Sequence, residues 1–251
     1  MKTTNDKIAK YYDLIYSELK PHALNDAEIS LINFLVQPGS KILDVGGGTG
    51  RHAITLSKQK FLVTVVDTSV EMLAQLNIKK RFIENSNLVT KFPSINVINR
   101  DIYQIDIHDK FDLIILMWNT FNEIALTKNE AKRLLTYLKS VLNVSGKILI
   151  NIDDASKVDP ANFNFIIEKE DNNKRYELTW KTSEFDVATN TSRSLETLKI
   201  FEQSKQIEEL TDYITQRYWT LEQIIELAKP VFKNIDQHKM RMSTELYIIL
   251  S

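Results

Sequence analysis

Lys41-Ile-Leu-Asp-Val-Gly-Gly-Gly-Thr-Gly50 gathers four of the chain's six glycines, Gly46, Gly47, Gly48 and Gly50, into five residues. A chain otherwise poor in glycine needs a local reason for such clustering. Glycine takes up positive φ without steric cost and lets another molecule approach the backbone closely. The apolar residues Ile42, Leu43 and Val45 stand directly before the cluster, and a helix-compatible stretch, 51–60, follows it. Strand, glycine turn and helix in that order predict the ligand crevice of a doubly wound α/β sheet.

The flanking pattern extends this reading. Apolar residues at three- and four-residue spacing predict helices over 6–19 and 25–36. Short apolar runs at 41–45, 61–66, 95–98, 111–117 and 147–152 then alternate with helical patterns at 51–58, 69–81 and 128–142. Strands apolar throughout are buried on both faces, as in a parallel sheet covered by helices. After Asp154 the period shifts to two: Tyr176, Leu178 and Trp180 fall on one side of a strand, Arg175, Glu177, Thr179 and Lys181 on the other. Strands at 163–167, 175–181, 193–201 and 207–218 form an antiparallel meander with polar turns at 171–174 and 189–192. A helix at 220–229 and strands at 231–237 and 244–250 close the chain. The expected fold is therefore α/β, a doubly wound, Rossmann-like, mostly parallel seven-stranded sheet with an inserted antiparallel β meander. Residues 1–154 and 217–251 make the main domain and 155–216 the insertion.

Bulk properties narrow the function. The 251 residues suit one large domain carrying an insertion. Lys and Arg total 32 against 33 Asp and Glu, a net charge of −1, so no global positive field calls for a nucleic acid. No run reaches the roughly 18 apolar residues of a membrane span, and the first residues lack a signal-peptide core. With no cysteine there is no disulfide, thiolate metal site or cysteine nucleophile. His22, His52, His108 and His238 lack metal-site spacing, so no metal is expected. A cytoplasmic location without nucleic-acid or membrane partners is the expectation.

The glycine spacing selects among nucleotide-like ligands. In the dinucleotide fingerprint Gly-x-Gly-x-x-Gly, counting from Gly46 puts Arg51 where the third glycine belongs, and counting from Gly47 puts Thr49 where the second belongs. No Gly-Lys-Ser/Thr follows, which removes the phosphate-binding loop. What remains is Asp-x-Gly-x-Gly-x-Gly, from Asp44, Gly46, Gly48 and Gly50.

This pattern, with its downstream partners, resembles the class I S-adenosylmethionine-dependent methyltransferases, in their small-molecule branch, over roughly 10–152 and 216–250. The partners are Val65-Val-Asp-Thr-Ser-Val-Glu-Met-Leu73, Asn99-Arg-Asp-Ile102, Phe111-Asp-Leu-Ile-Ile-Leu-Met-Trp-Asn119 and the stretch 138–152. Tyr12-Asp-Leu-Ile-Tyr16 and Arg217-Tyr-Trp-Thr220 add N- and C-terminal elements of the same branch. The resemblance implies S-adenosylmethionine as cofactor. Gly46, Gly48 and Gly50 would seat its methionine portion, with Asp44 ordering the turn or meeting the ligand's ammonium. Asp67, 67 − 46 = 21 residues beyond the first glycine, would accept from the ribose hydroxyls. Asp101 would accept from the adenine amino group, Thr68, Met72 and Ile102 would flank the ring, and Tyr12 and Met117 would complete the cofactor site.

The implied reaction is methyl transfer to nitrogen or oxygen of a small-molecule acceptor, positioned by Glu123, Asn119 and Tyr16. The inserted strands would form a lid or a homodimer contact. Other readings stay open. Ser69 rather than Asp67 is a suitable helix cap, the tyrosine stripe suits core packing, and Asn119, Asn122 and Glu123 suit loop or cap roles. An NAD(P)-dependent oxidoreductase would use the same crevice, and a non-catalytic binding module would keep the same fold.

Overall fold

A computed structural model of the chain describes residues 6–17, 19, 22–85, 95–105, 108–240 and 245–251. In chain order the elements are α1 (Tyr12–Tyr16), α2 (His22–Leu35), β1 (Lys41–Val45), α3 (Arg51–Lys58), β2 (Leu62–Asp67), α4 (Val70–Asn85), β3 (Asn96–Asn99), β4 (Phe111–Leu116), α5 (Thr120–Ile124), α6 (Lys128–Ser140) and β5 (Leu142–Ile152). Then come β6 (Asn164–Asp171), β7 (Lys174–Asp186), β8 (Thr191–Glu202) and β9 (Lys205–Arg217), followed by α7 (Leu221–Ala228), β10 (Ile235–His238) and β11 (Leu246–Leu250).

Seven strands form one sheet in the order β3-β2-β1-β4-β5-β11-β10, and β6 to β9 form a second sheet in sequence order. Strands β1 to β5 pair parallel, and β11 runs antiparallel to both neighbours. Alternate residues of β1 feed opposite cores, as the pleat demands. Leu43 and Val45 join the cluster under α5, α6 and α7, while Ile42 joins the cluster under α2, α3 and α4. Strand order reverses between β1 and β4, which opens a crevice at their C-terminal ends.

Local chemistry sets the element ends. Thr220 and Gln223 close a reciprocal capping box on α7, and Thr127 accepts from Glu130 N to start α6. In the second sheet, β6 turns into β7 through Asn172 and Asn173, both at positive φ, the two-residue turn that matches strand twist.

Several expected elements differ in extent, β5 starting at Leu142 rather than 147 and β7 reaching Asp186 rather than 181. The helix expected over 6–19 shrinks to Tyr12–Tyr16. The preceding residues wind in tight turns, with Tyr11 N bonded to Ile8 O at 2.7 Å, and bury Ile8 and Ile15 against the second sheet. The strand expected over 231–237 begins only at Ile235, because the amides of Val231 and Phe232 still bond to Ala228 O at the end of α7. Residue 18 of the helix expected over 6–19 and residue 244 of the strand expected over 244–250 lie outside the described residues. Among the described residues, no helix is long and apolar enough to cross a membrane.

Candidate functional site

The crevice holds a cavity of about 390 Å³, within the range of small-molecule sites. Its wall includes Asp44, Gly46, Gly48, Asp67, Thr68 and Met72 from the β1 and β2 ends, Asp101 and Ile102 after β3, and Met117 and Glu123 around α5. Tyr12 closes it from α1. Eleven of the residues picked from sequence thus meet in one place, although they span more than a hundred positions.

Backbone geometry at the glycine turn accounts for its composition. Gly46 and Gly48 have φ of +69° and +51°. A Cβ on Gly46 would lie 2.6 Å from Thr120 Cγ2, so the turn packs directly on α5. A Cβ on Gly47 would lie 2.8 Å from Asp44 Oδ2, so Gly47 leaves room for that carboxyl. Gly50 stands behind the wall. Its Cβ would strike Leu76 Cδ1 at 2.3 Å, and its φ of +81° starts α3, so it serves the packing of α3 on α4 rather than the cavity surface.

The carboxylates differ in their surroundings. Asp67 accepts from Gly48 N at 2.9 Å and Ser69 N at 2.8 Å, tying the β2 end to the glycine turn. Burial raises its pKa, and these backbone donors oppose the rise. Ser69 Oγ accepts from Met72 N and so caps α4. Asp44 is 2% exposed, and its Oδ2 has no hydrogen-bond partner among the described residues. Burial and the nearby Asp67 push its pKa up to about 7, against the pull of Arg51. Asp101 accepts from Tyr103 N at 3.0 Å, capping a short turn, while remaining on the wall.

The three residues expected to position an acceptor separate. Glu123 lines the cavity and accepts from Gln216 Nε2 of β9 at 3.2 Å. Tyr16 lies off the wall; its hydroxyl donates to Glu196 Oε1 on β8, and its ring meets Trp118 edge-on with centroids 5.4 Å apart. Asn119 turns away from the cavity. Its side chain donates to Asp153 Oδ2 at 2.6 Å and accepts from Asp153 N at 2.7 Å, which staples the β4 tip to the end of β5.

That staple supports an unusual backbone. Trp118 and Asn119 are both left-handed, at φ +52° and +60°, a conformation costing on the order of 1–3 kcal/mol per residue unless the surroundings enforce it. A closed ring of contacts enforces it here. Trp118 N donates to Asn151 Oδ1 at 2.8 Å, and Asn151 Nδ2 donates to Glu245 Oε2 at 2.9 Å. The Tyr247 hydroxyl lies 3.1 Å from Glu245 and 2.8 Å from Glu28. Arg51 reaches Glu28 at 3.3 Å and lays its guanidinium over the Trp118 ring at 4.7 Å. His52 adds a 2.9 Å contact to the fully buried Glu28.

Sequence inspection missed Arg51, Glu28, Asn151, Tyr247 and Glu196. Two carried a usable signal. Arg51 puts a cation on the first residue of a helix, where the macrodipole disfavours it. Glu28 lies on the stripe of Leu24, Ile32 and Leu35, where an apolar residue belongs.

Comparison with known proteins completes the description. Residues 42–146 match a family model described as a methyltransferase domain. A glycine/sarcosine N-methyltransferase of Halorhodospira halochloris is 30% identical over 146 residues, 57% of this chain and 50% of that protein. The crystal structure of a S-adenosylmethionine-dependent methyltransferase from Clostridium acetobutylicum ATCC 824 superposes with a TM-score of 0.74 at 20% identity, over 97% of each chain. The sugar N-methyltransferase KedS8 from Streptoalloteichus sp ATCC 53650 superposes at 0.73 with 15% identity, over 100% of this chain and 96% of that one. These superpositions establish the shared fold. The chain spans between half and three-fifths of the length of the curated relatives it matches first.

Proposed function

We propose that this chain, which belongs to the class I S-adenosylmethionine-dependent methyltransferases, transfers a methyl group to nitrogen or oxygen of a small-molecule acceptor. The observation that carries the reading is the convergence of the glycine turn, Asp67 and Asp101 on one cavity at the β1–β4 switch point. Two further features fit the cofactor. Asp44 offers a buried oxygen without a hydrogen-bond partner among the described residues, suited to the cofactor's ammonium. A Cβ on Gly48 would fill the space beside Met72 Cε at 3.1 Å, so the cradle depends on glycine.

S-adenosylmethionine, when bound, supplies an already activated methyl on a positively charged sulfur. The chain's own work is then orientation and exclusion of water. Asp67 and Asp101 would hold the ribose and adenine, and Met72 and Ile102 would sandwich the ring. Tyr12, Trp118 and Glu123 would face the acceptor, and the second sheet would close over it through the Gln216–Glu123 bond and the Tyr16–Glu196 bond. The N-methyltransferase relatives favour nitrogen.

Calorimetric titration with S-adenosylmethionine and with NAD tests the cofactor. Saturable 1:1 binding of the first and none of the second is expected; NAD binding alone sinks the reading. Asp67→Ala should weaken S-adenosylmethionine binding about tenfold or more, from the loss of a charge-assisted hydrogen bond. Unchanged affinity in the folded variant would leave Asp67 only its turn-holding role. A mass-shift assay on pooled small amines and alcohols then identifies the acceptor.

A further inference from the structure

The second sheet carries a carboxyl group where its pattern calls for an apolar side chain. Along β8, Ser192, Ser194, Glu196, Leu198 and Ile200 share the buried face, and Glu196 is fully buried in their midst. Its neighbours across the ladder are Trp180 on β7 and Asp212 on β9. Tyr16 satisfies Glu196 Oε1, but Oε2 has no hydrogen-bond partner among the described residues, and neither has the buried Trp180 Nε1. An unpartnered buried carboxylate oxygen is costly and survives where a ligand supplies the missing donor.

The surroundings select the donor. Tyr16 packs on Tyr12, ring centroids 4.6 Å apart, and on Trp118, and both of these line the cavity. Burial pushes the Tyr12 hydroxyl above its usual range, Arg51 pulls it back, and Glu123 and Glu196 add to the rise. Aromatic rings beside two carboxylates favour a cation with N–H groups to give. An acceptor bearing a carboxylate or phosphate at this point would meet like charge from Glu123 and Glu196. Among the described residues the guanidinium groups on the cavity wall are those of Arg51 and Arg100; Arg51 Nη2 pairs with Glu28 and the group lies over Trp118, with Nη1 left without a hydrogen-bond partner, while Arg100 adjoins Asp101.

Resting on the methyl-donor reading above, we infer that the acceptor is a small amine that enters as an ammonium, and that Glu196 Oε2 receives its N–H. The step balances within the groups named. The ammonium passes one proton to the Glu196 carboxylate and regains its lone pair. That pair forms the N–C bond as the methyl–sulfur bond breaks and its electrons return to sulfur. The product leaves as a methylated ammonium, and the Glu196 proton returns to water. Burial, with Asp212 and Glu123 adding to it, pushes the Glu196 carboxyl up to about 8, against the pull of the Tyr16 bond, so the empty site holds mainly the acid near neutrality and the arriving ammonium draws it into the carboxylate that takes the proton.

Three probes of one shape test the inference: cyclohexylamine, cyclohexanol and cyclohexanecarboxylate, titrated calorimetrically into protein saturated with S-adenosylhomocysteine. Wild type should bind the amine 1:1 and at least tenfold more tightly than the alcohol, with no binding of the carboxylate. Glu196→Gln should weaken the amine at least tenfold while holding S-adenosylmethionine affinity within twofold. No amine binding to wild type, carboxylate binding as tight as amine binding, or equal amine affinity in Glu196→Gln each overturns it. The wild-type comparison stands even where the variant folds poorly. Failure to bind S-adenosylmethionine would instead defeat the methyl-donor reading, so the two failures are told apart.

Discussion

Glu196 also makes a prediction about stability that needs no ligand. In an unfolded chain its carboxyl titrates at the ordinary 4.5, whereas in the folded protein burial pushes it up to about 8. Between these values the folded state holds one more proton than the unfolded state, so stability falls as pH rises. The contribution is fully present below pH 4.5 and is lost through about pH 8. The slope approaches 1.36 kcal/mol per pH unit for one proton, so the window amounts to on the order of a few kcal/mol. Asp44, raised from 3.8 to about 7, tilts the same curve. Comparison of wild type with Glu196→Gln removes that background, since Asp44 titrates in both proteins. The amide mimics the protonated acid and still accepts from Tyr16. The two should therefore be of similar stability at pH 5, and the variant should gain by about 1 kcal/mol or more per pH unit up to pH 8. Urea unfolding of the ligand-free proteins at pH 5, 6.5 and 8, with m-values checked for constancy, measures the difference. A gap that stays constant across the series would refute the buried, proton-holding carboxyl and with it the electrostatics drawn for the acceptor pocket.

Asp44 couples the cofactor to pH, because a ligand ammonium calls for the ionised carboxylate: S-adenosylmethionine affinity should rise from pH 5.5 to 7, at a limit of about tenfold per unit. Calorimetry of Asp44→Asn should show that rise abolished. Gly46→Ala places a Cβ 2.6 Å from Thr120 at a φ of +69° and should cost about 1–3 kcal/mol. Adding Thr120→Ala should recover only the steric part in thermal unfolding, and full recovery would mean that the backbone strain is negligible. Asn151→Ala removes the bond that fixes Trp118 N. Turnover should fall several-fold with S-adenosylmethionine affinity held within twofold, whereas equal losses in both would show that the ring of contacts supports the whole site rather than the β4 tip.

Legibility divides at the cavity's midline. The proposed donor half is written locally: Asp44, Gly46 and Gly48 lie within five residues, and Asp67 follows at the distance set by one helix and one strand. Local spacing is what a single sequence transmits, so these residues could be named and the seven-stranded sheet counted. Periodicity likewise gave α3 to the residue. It failed before Tyr12, where tight turns imitate a helical stripe. The break expected between the strands at 193–201 and 207–218 tightens to the two-residue Gln203–Ser204 turn, which takes positive φ at two residues that seldom signal it.

The proposed acceptor half has no local code. Tyr12, Trp118, Glu123, Glu196 and Gln216 come from four elements and the loop between β4 and α5, and each looks ordinary where it stands: a tyrosine on a packed helix, a glutamate in an alternating strand. Asn119 shows the hazard of reading such positions singly. Polar and placed at a strand tip, it invites a role toward substrate, yet both ends of its amide are spent on Asp153. That spending is functional at one remove, because a left-handed Trp118 needs a rigid neighbour, and Asn151 with Asn119 supplies it from β5. The same test applied to Glu196 gives the opposite result. One oxygen is satisfied by Tyr16, the other by no group among the described residues, and that omission is what marks it for the proposed ligand. Where a buried polar group's hydrogen bonds go therefore separates scaffold from site here more sharply than residue type or position does.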